Sequence, residues 1–398
     1  MFAWPIFFPA SQVQTIQIHP SVGFAFGDQI RFVAQVEAPS PIQLASVFYR
    51  VSGSSGTKTV TAIVEPGSPT TARAVADTHA APIPPFTPVS FWWQVQTQDG
   101  LSATSSPQNF VYADNRFAWQ STAAPGLTVY WVDGGPTFGQ AVLDLAQHNY
   151  KRIALDLSFE PPGATQIYVY PRLEDLQSSM ELGGRTWTGG HTEPTLGTVL
   201  LAAAPTSEGQ LQLENELPHE LTHSFLIRRM GDGYANLPAW LAEGLASQEE
   251  AVPPVERRLA LEAAVRDGKL LPLSTLCTSF PSTGAEAVLA YAQSASVVQY
   301  IRNVYGQGAF PRLFDAYQEG TDCAGGLQRV LRRSIGQLES EWLANTASLG
   351  PGLPAGAWLF LGLPALLALL AGVMPLARGR PRATIQDGGM PKSNQVQD

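Results

Sequence analysis

LPHELTHSF, residues 217–225, places two of the six histidines of this 398-residue chain four positions apart, with a glutamate directly after the first. On a helix, positions i and i+4 share a face, so His219 and His223 are expected to point at one ion, with Glu220 beside them. Pro218 suits a first helical turn, and Gly231 with Gly233 suits an end. The spacing therefore predicts one helix, PHELTHSFLIRRM, of about thirteen residues. An HExxH arises by chance in on the order of one chain in two hundred of such composition, so its surroundings must carry the argument.

Two imidazoles make a weak site, because a hydrolytic zinc takes three protein ligands and leaves a fourth position to water. The third donor is sought in NLPAWLAEGLASQEE, where Glu243 stands twenty residues after His223. A carboxylate among Trp240, Leu241, Leu245 and Ala246 is costly to bury unless it is paired or coordinated, which makes Glu243 the ligand candidate.

HELTH followed by P-x-W-L-x-E-G-L-A resembles the glutamate-type zincins (gluzincins), in particular the bacterial peptidase MA-like domains. The resemblance covers roughly residues 116–348 and includes AYAQSASVVQYIRNVYG, Ala290–Gly306, similar to that family's downstream helix. It implies a zinc metallopeptidase acting on a peptide or protein substrate. One Zn2+ is expected on His219, His223 and Glu243, with Glu220 as general base. Tyr291 is the candidate donor to the tetrahedral oxyanion, a packing role being equally open to it, with His191 in WTGGHTEP as the second candidate. The strand formed by Thr198, Val199, Leu200, Leu201 and Ala202 is expected to pair with extended substrate.

The pattern also departs from its relatives. Thermolysin-like enzymes carry an aspartate four residues after the third ligand, where this chain has Ser247, so the groups that orient the ligands must differ. Glu214 and Asn215 lie too close to His219 to match the upstream exopeptidase motif of membrane-type aminopeptidases, which favours endopeptidase action. Two other classes stay open: a catalytically silent cell-surface binding module on a zincin scaffold, and a zinc hydrolase of non-peptide substrates.

Composition bounds the rest. A hydrophobic content of 44% allows a proper core, while 36 Gly and 32 Pro imply many turns. The net charge of -9 argues against nucleic acid, which needs a basic patch. Cys277 and Cys323 are the only cysteines, and either a bridge or two free thiols is compatible with the sequence.

Along the chain the texture changes once. From about Val13 to Tyr112, period-two stretches such as QIRFVAQVEA and VSFWWQVQTQDG give about seven short strands, the pattern of an Ig- or fibronectin-like sandwich. His19 and His79 sit among turn residues there and are expected at the surface. From about Arg116 the elements are mixed, then almost wholly helical, which predicts an α+β zincin-like domain whose sheet comes first. The expected division is 11–115 for the β-sandwich and 116–348 for the peptidase domain, followed by 355–377 as a transmembrane helix and 378–398 as a disordered cytoplasmic tail.

That last expectation rests on AGAWLFLGLPALLALLAGVMPLA, Ala355–Ala377, uncharged and roughly 34 Å long as a helix against a bilayer core of about 30 Å. Arg378, Arg380 and Arg382 follow, and Glu339 and Glu341 precede. The positive-inside rule then predicts a single-pass protein in the lipid bilayer of the cell membrane, its peptidase domain extracytoplasmic and its C-terminus cytoplasmic. The N-terminal MFAWPIFFPASQ lacks a basic n-region and is a poor signal peptide.

Overall fold

The computed structural model describes residues 15–160, 163–183, 191–193, 197–278, 280–281 and 284–347. The described residues up to Leu343 form one compact unit.

The first part is all β: β1 (Gln17–Ala25), β2 (Gln29–Glu37), β3 (Ile42–Val51), β4 (Lys58–Thr61), β5 (Ile63–Glu65), β6 (Thr70–Asp77), β7 (Thr87–Thr97), β8 (Ser102–Thr104) and β9 (Gln108–Tyr112). These form two antiparallel sheets, β1-β2-β6-β5 and β4-β3-β7-β8, with β9 also on β7. Successive side chains on a strand point to opposite faces, so Ile30, Phe32, Ala34 and Val36 of β2 meet Val89, Phe91, Trp93 and Val95 of β7 in one core. The strands exceed the seven expected because β5 and β8, three residues each, are too short to display an alternation.

The second part opens with β10 (Gln120–Ala124), β11 (Leu127–Trp131), α1 (Gly135–Leu157), β12 (Thr165–Tyr170), α2 (Leu173–Leu182), β13 (His191–Glu193) and β14 (Thr198–Ala202). They build a sheet of order β10-β11-β12-β14-β13, in which β11, β12 and β14 run parallel and β10 and β13 are antiparallel edges. Then come α3 (Ser207–Met230), a 3₁₀ turn (Gly231–Asn236), α4 (Ala239–Glu249), α5 (Val255–Asp267), a second 3₁₀ turn (Thr275–Cys277), α6 (Gly284–Tyr305), α7 (Ala309–Gln318), α8 (Cys323–Leu331) and α9 (Ile335–Ala347). Core side chains of β11, β12, β14, α1, α3, α4, α6 and α7 form one cluster.

Aromatic rings join the two parts. Phe86 stacks on Tyr168 with ring centroids 3.5 Å apart, and Trp119 meets Tyr168 and Tyr170 edge-on. Beneath them the fully buried Asp114 receives a forked pair of hydrogen bonds from Arg116, at 2.8 and 2.6 Å, and a third from the Tyr170 hydroxyl.

The helix expected to begin at Pro218 begins eleven residues earlier, at Ser207, and Pro218 lies inside it. SEGQLQLENEL is rich in Leu, Gln and Glu, good helix formers, and the Thr206 side chain caps the start by accepting from the Gly209 N–H. Proline then forfeits a single backbone hydrogen bond, and packing of the helix against the sheet outweighs that loss. Cys277 and Cys323 are joined in a disulfide that ties the second 3₁₀ turn to the start of α8.

One expectation is corrected here. The fold class that combined an Ig/fibronectin-like sandwich and a zincin-like domain with one transmembrane helix becomes an all-β region of two sheets followed by a mainly helical domain. Among the described residues no helix is long and apolar enough to cross a membrane, and the segment 355–377 lies outside them. The single-pass membrane placement, the contact with a lipid bilayer and the extracytoplasmic orientation are accordingly dropped. They rested on hydropathy and flanking arginines alone.

Candidate metal centre

α3 carries His219 and His223 and α4 carries Glu243. What fixes α4 is its seat on α6. A Cβ added at Gly244 would lie 2.6 Å from both the Ser294 carbonyl oxygen and Val298 Cγ2, so only glycine lets the two backbones approach this closely. Trp240, Leu241 and Leu245 are buried on the same helix and leave Glu243 directed at α3.

Three donor atoms converge. His219 Nε2 and His223 Nε2 are 3.3 Å apart, and Glu243 Oε2 lies 3.5 Å from the first and 3.4 Å from the second. Among the described residues this is the only set of three or more His, Cys, Asp or Glu side chains whose ligand atoms come together in this way. A tetrahedral ion with bonds of about 2.1 Å separates its ligands by about 3.4 Å, so the spacing fits a four-coordinate cation.

The opposite ring nitrogens are also engaged. His219 Nδ1 lies 2.9 Å from Glu250 Oε1, and His223 Nδ1 lies 3.3 Å from the Tyr234 hydroxyl. A carboxylate on Nδ1 keeps the proton there and turns the Nε2 lone pair toward the centre. Electrostatics agree with the geometry. Burial opposes a charge on His219, yet hydrogen bonds to Glu243 and Glu250 outweigh it and push the imidazole up to about 10. Burial likewise opposes ionisation of Glu243, but the charge of His223 and the hydrogen bonds from both histidines hold it well below the usual carboxylate range. In the metal-free protein a protonated His219 is thus paired with an ionised Glu243 where a cation fits.

Glu220 is buried, and its charge acts on His219, Tyr234 and Tyr291, which puts it in the same cleft. The Tyr291 ring stands 6.1 Å from that of His219, held edge-on by Phe280 at 4.9 Å and covered by the Arg257 guanidinium at 4.7 Å. Burial, with the charges of Glu243 and Glu220, pushes the Tyr291 phenol above its ordinary value, so it stays a hydrogen-bond donor at neutral pH. All five residues named from the motifs, His219, Glu220, His223, Glu243 and Tyr291, are therefore brought together.

The expected substrate strand is not. Thr198–Ala202 is buried and paired on both sides, by β12 through Ile167↔Val199 to Tyr170↔Ala202 and by β13 through His191↔Leu200 to Glu193↔Thr198. A run that is apolar from Val199 on and buried throughout is the mark of a central strand rather than an edge, and its backbone groups are already used. The edge belongs to β13, which contains the backbone of His191. His19 and His79 are exposed and far from this chemistry, in β1 and after β6.

Two partners escaped sequence reasoning. Glu250 caps the end of α4, seven residues after Glu243, where the backbone is already extended and helical periodicity no longer places a side chain. Tyr234 sits in the 3₁₀ turn after α3, where no periodicity announces it.

Residues 145–348 match the family described as Peptidase MA superfamily. The chain belongs to that superfamily. No curated protein matches the sequence. Among solved structures, an aminopeptidase N family protein from Idiomarina loihiensis aligns at 8% identity and a TM-score of 0.37, covering 87% of this chain and 75% of that one. A purple acid phosphatase from yellow lupin seeds aligns at 8% identity and a TM-score of 0.21 over 46% of this chain, which spans 34% of the phosphatase. Within the superfamily match fall α3 and α4, and with them every donor of the cluster.

Proposed function

We propose that this protein is a zinc-dependent peptidase that hydrolyses peptide bonds. The observation carrying the reading is the convergence of His219, His223 and Glu243 with donor atoms 3.3–3.5 Å apart inside the Peptidase MA superfamily match. Two imidazoles and one carboxylate are a zinc donor set, and three ligands leave a fourth position for reaction. When bound, the ion supplies Lewis acidity that polarises a carbonyl and acidifies water.

The chain's own groups do the rest. Glu220 takes the proton of the attacking water and returns it to the leaving amine, the task of a buried carboxylate that is not itself a ligand. Tyr291, kept protonated, donates to the oxygen that gains charge in the tetrahedral state. Glu250 and Tyr234 fix the tautomer and tilt of the two imidazoles. The outer edge of β13 offers backbone groups to an extended substrate, in place of Thr198–Ala202.

The test is metal analysis and cleavage profiling of the full chain on a mixed peptide library, with and without a chelator. About one zinc per chain and chelator-sensitive cleavage are expected. Cleavage that survives complete metal removal, or wild-type protein that takes up no zinc, refutes the reading.

A further inference from the structure

We infer that Arg257, on α5, is a positioning residue that locks the ligand His219 and the donor Tyr291 to each other; the inference rests on the metal reading above. Arg257 Nη1 donates to both oxygens of Glu250 at 2.8 Å, and Glu250 Oε1 lies 2.9 Å from His219 Nδ1. The same guanidinium lies 4.7 Å above the Tyr291 ring, whose centroid is 6.1 Å from that of His219. Four side chains from α3, the end of α4, α5 and α6 thus form a closed circuit, in which Arg257 links the Glu250 carboxylate to the Tyr291 ring.

The chemistry requires arginine. The Glu250 side chain is only 5% exposed, and a buried carboxylate needs a cation or further donors to stay fixed. A planar guanidinium can donate in its plane and stack with its face, so one group serves the carboxylate and the ring together. Lysine offers a point charge with no face. Arg257 leans inward while Val255 and Leu259 of the same helix are exposed, as positions two apart on a helix require. Remove the guanidinium and Glu250 keeps one partner, free to rotate away from Nδ1, while Tyr291 loses the cover that holds its ring beside His219.

Arg257→Ala, Arg257→Lys and the outward control Leu259→Ala are compared with wild type for zinc affinity by chelator competition, for kcat and KM separately, and for rescue by added guanidinium chloride at low millimolar concentration. An orienting partner is typically worth about 10- to 100-fold in metal affinity. Arg257→Ala should lose zinc affinity by about that factor and lower kcat more than it raises KM. Guanidinium should restore part of both, and Arg257→Lys should fall between. Leu259→Ala should match wild type. Rescue is the readout that a merely structural role would not move, and Arg257→Lys keeps the charge should the alanine variant fail to fold. Wild-type zinc affinity in both Arg257 variants, or losses that guanidinium leaves untouched, would overturn the inference. A wild type without zinc would instead strike the metal reading.

Discussion

The Tyr234 hydroxyl lies 3.3 Å from Nδ1 of His223, so a residue of the 3₁₀ turn after α3 governs which nitrogen of a ligand carries its proton. The contact answers that between Glu250 and Nδ1 of His219, and the two rings present their Nε2 atoms to one point. Tyr234→Phe keeps the ring and deletes the contact. Zinc affinity should fall by about 10-fold, the low end for an orienting group, with the thermal midpoint of the metal-free protein nearly unchanged. Competition against a chromogenic chelator measures the first and a thermal scan the second; equal zinc affinity would show that the turn does not orient His223.

Glu220→Gln separates chemistry from metal binding. Glu220 is not among the three converging donors, yet its charge is felt by His219, Tyr234 and Tyr291. The variant should hold zinc as the wild type does and lose about 10²- to 10⁴-fold in turnover, the usual loss of a general base. Zinc content by mass spectrometry together with peptide turnover decides it. Loss of zinc alongside activity would make Glu220 a ligand or a structural residue.

The donors were legible because each stands in a pattern that physics makes visible: a histidine pair at one helical turn, and a carboxylate in an otherwise apolar helix. The strands of the first part were legible for the same reason, since a half-buried strand alternates. The edge of the second sheet was not. β13 is three residues long and has no period to detect, whereas its neighbour β14 is apolar from Val199 to Ala202 and drew the assignment. The start of α3 was hidden by Pro218, whose fit to a first helical turn placed the start there, a local preference that tertiary packing overrides. Glu250, Arg257 and Tyr234 were missed because their roles depend on which elements meet, and that is a property of the fold.

Stability of the metal-free protein should depend on pH in a defined direction. Despite burial, hydrogen bonds to Glu243 and Glu250 raise His219 from 6.5 to about 10. A raised histidine stabilises fully below its unfolded value and loses that contribution as pH climbs toward its folded value. Glu243 is lowered, so its contribution is present above 4.5 and disappears on acidification. The thermal midpoint of chelator-treated protein should therefore decline from pH 6.5 upward. Zinc displaces the same proton, so the stabilisation it confers should grow across that range, with proton release visible by calorimetry in buffers of different ionisation enthalpy. A midpoint that stays flat or rises between pH 6.5 and 9 without metal contradicts the charge assignment.

Gly244 tests whether the seat of α4 on α6 sets the position of Glu243. An added methyl would stand 2.6 Å from a backbone oxygen of α6, which cannot step aside as the end of a flexible side chain can. Overpacking of this kind costs about 1–3 kcal/mol, and the helices must part to accept it. Glu243 adjoins the strained position and its Oε2 already lies at 3.5 and 3.4 Å from the two imidazoles. Any retreat of α4 therefore opens the donor triangle. Gly244→Ala should lower both the denaturant midpoint and the zinc affinity. Gly308→Ala is the comparison: its φ of -63° suits alanine and its nearest contact would be Arg312 Nη1 at 3.7 Å, an ordinary separation. That variant should be neutral or slightly more stable, because alanine restricts the unfolded chain. If Gly244→Ala loses stability but keeps full zinc affinity, α4 moves as a body without disturbing Glu243, and the ligand is held by the histidines rather than by the helix seat.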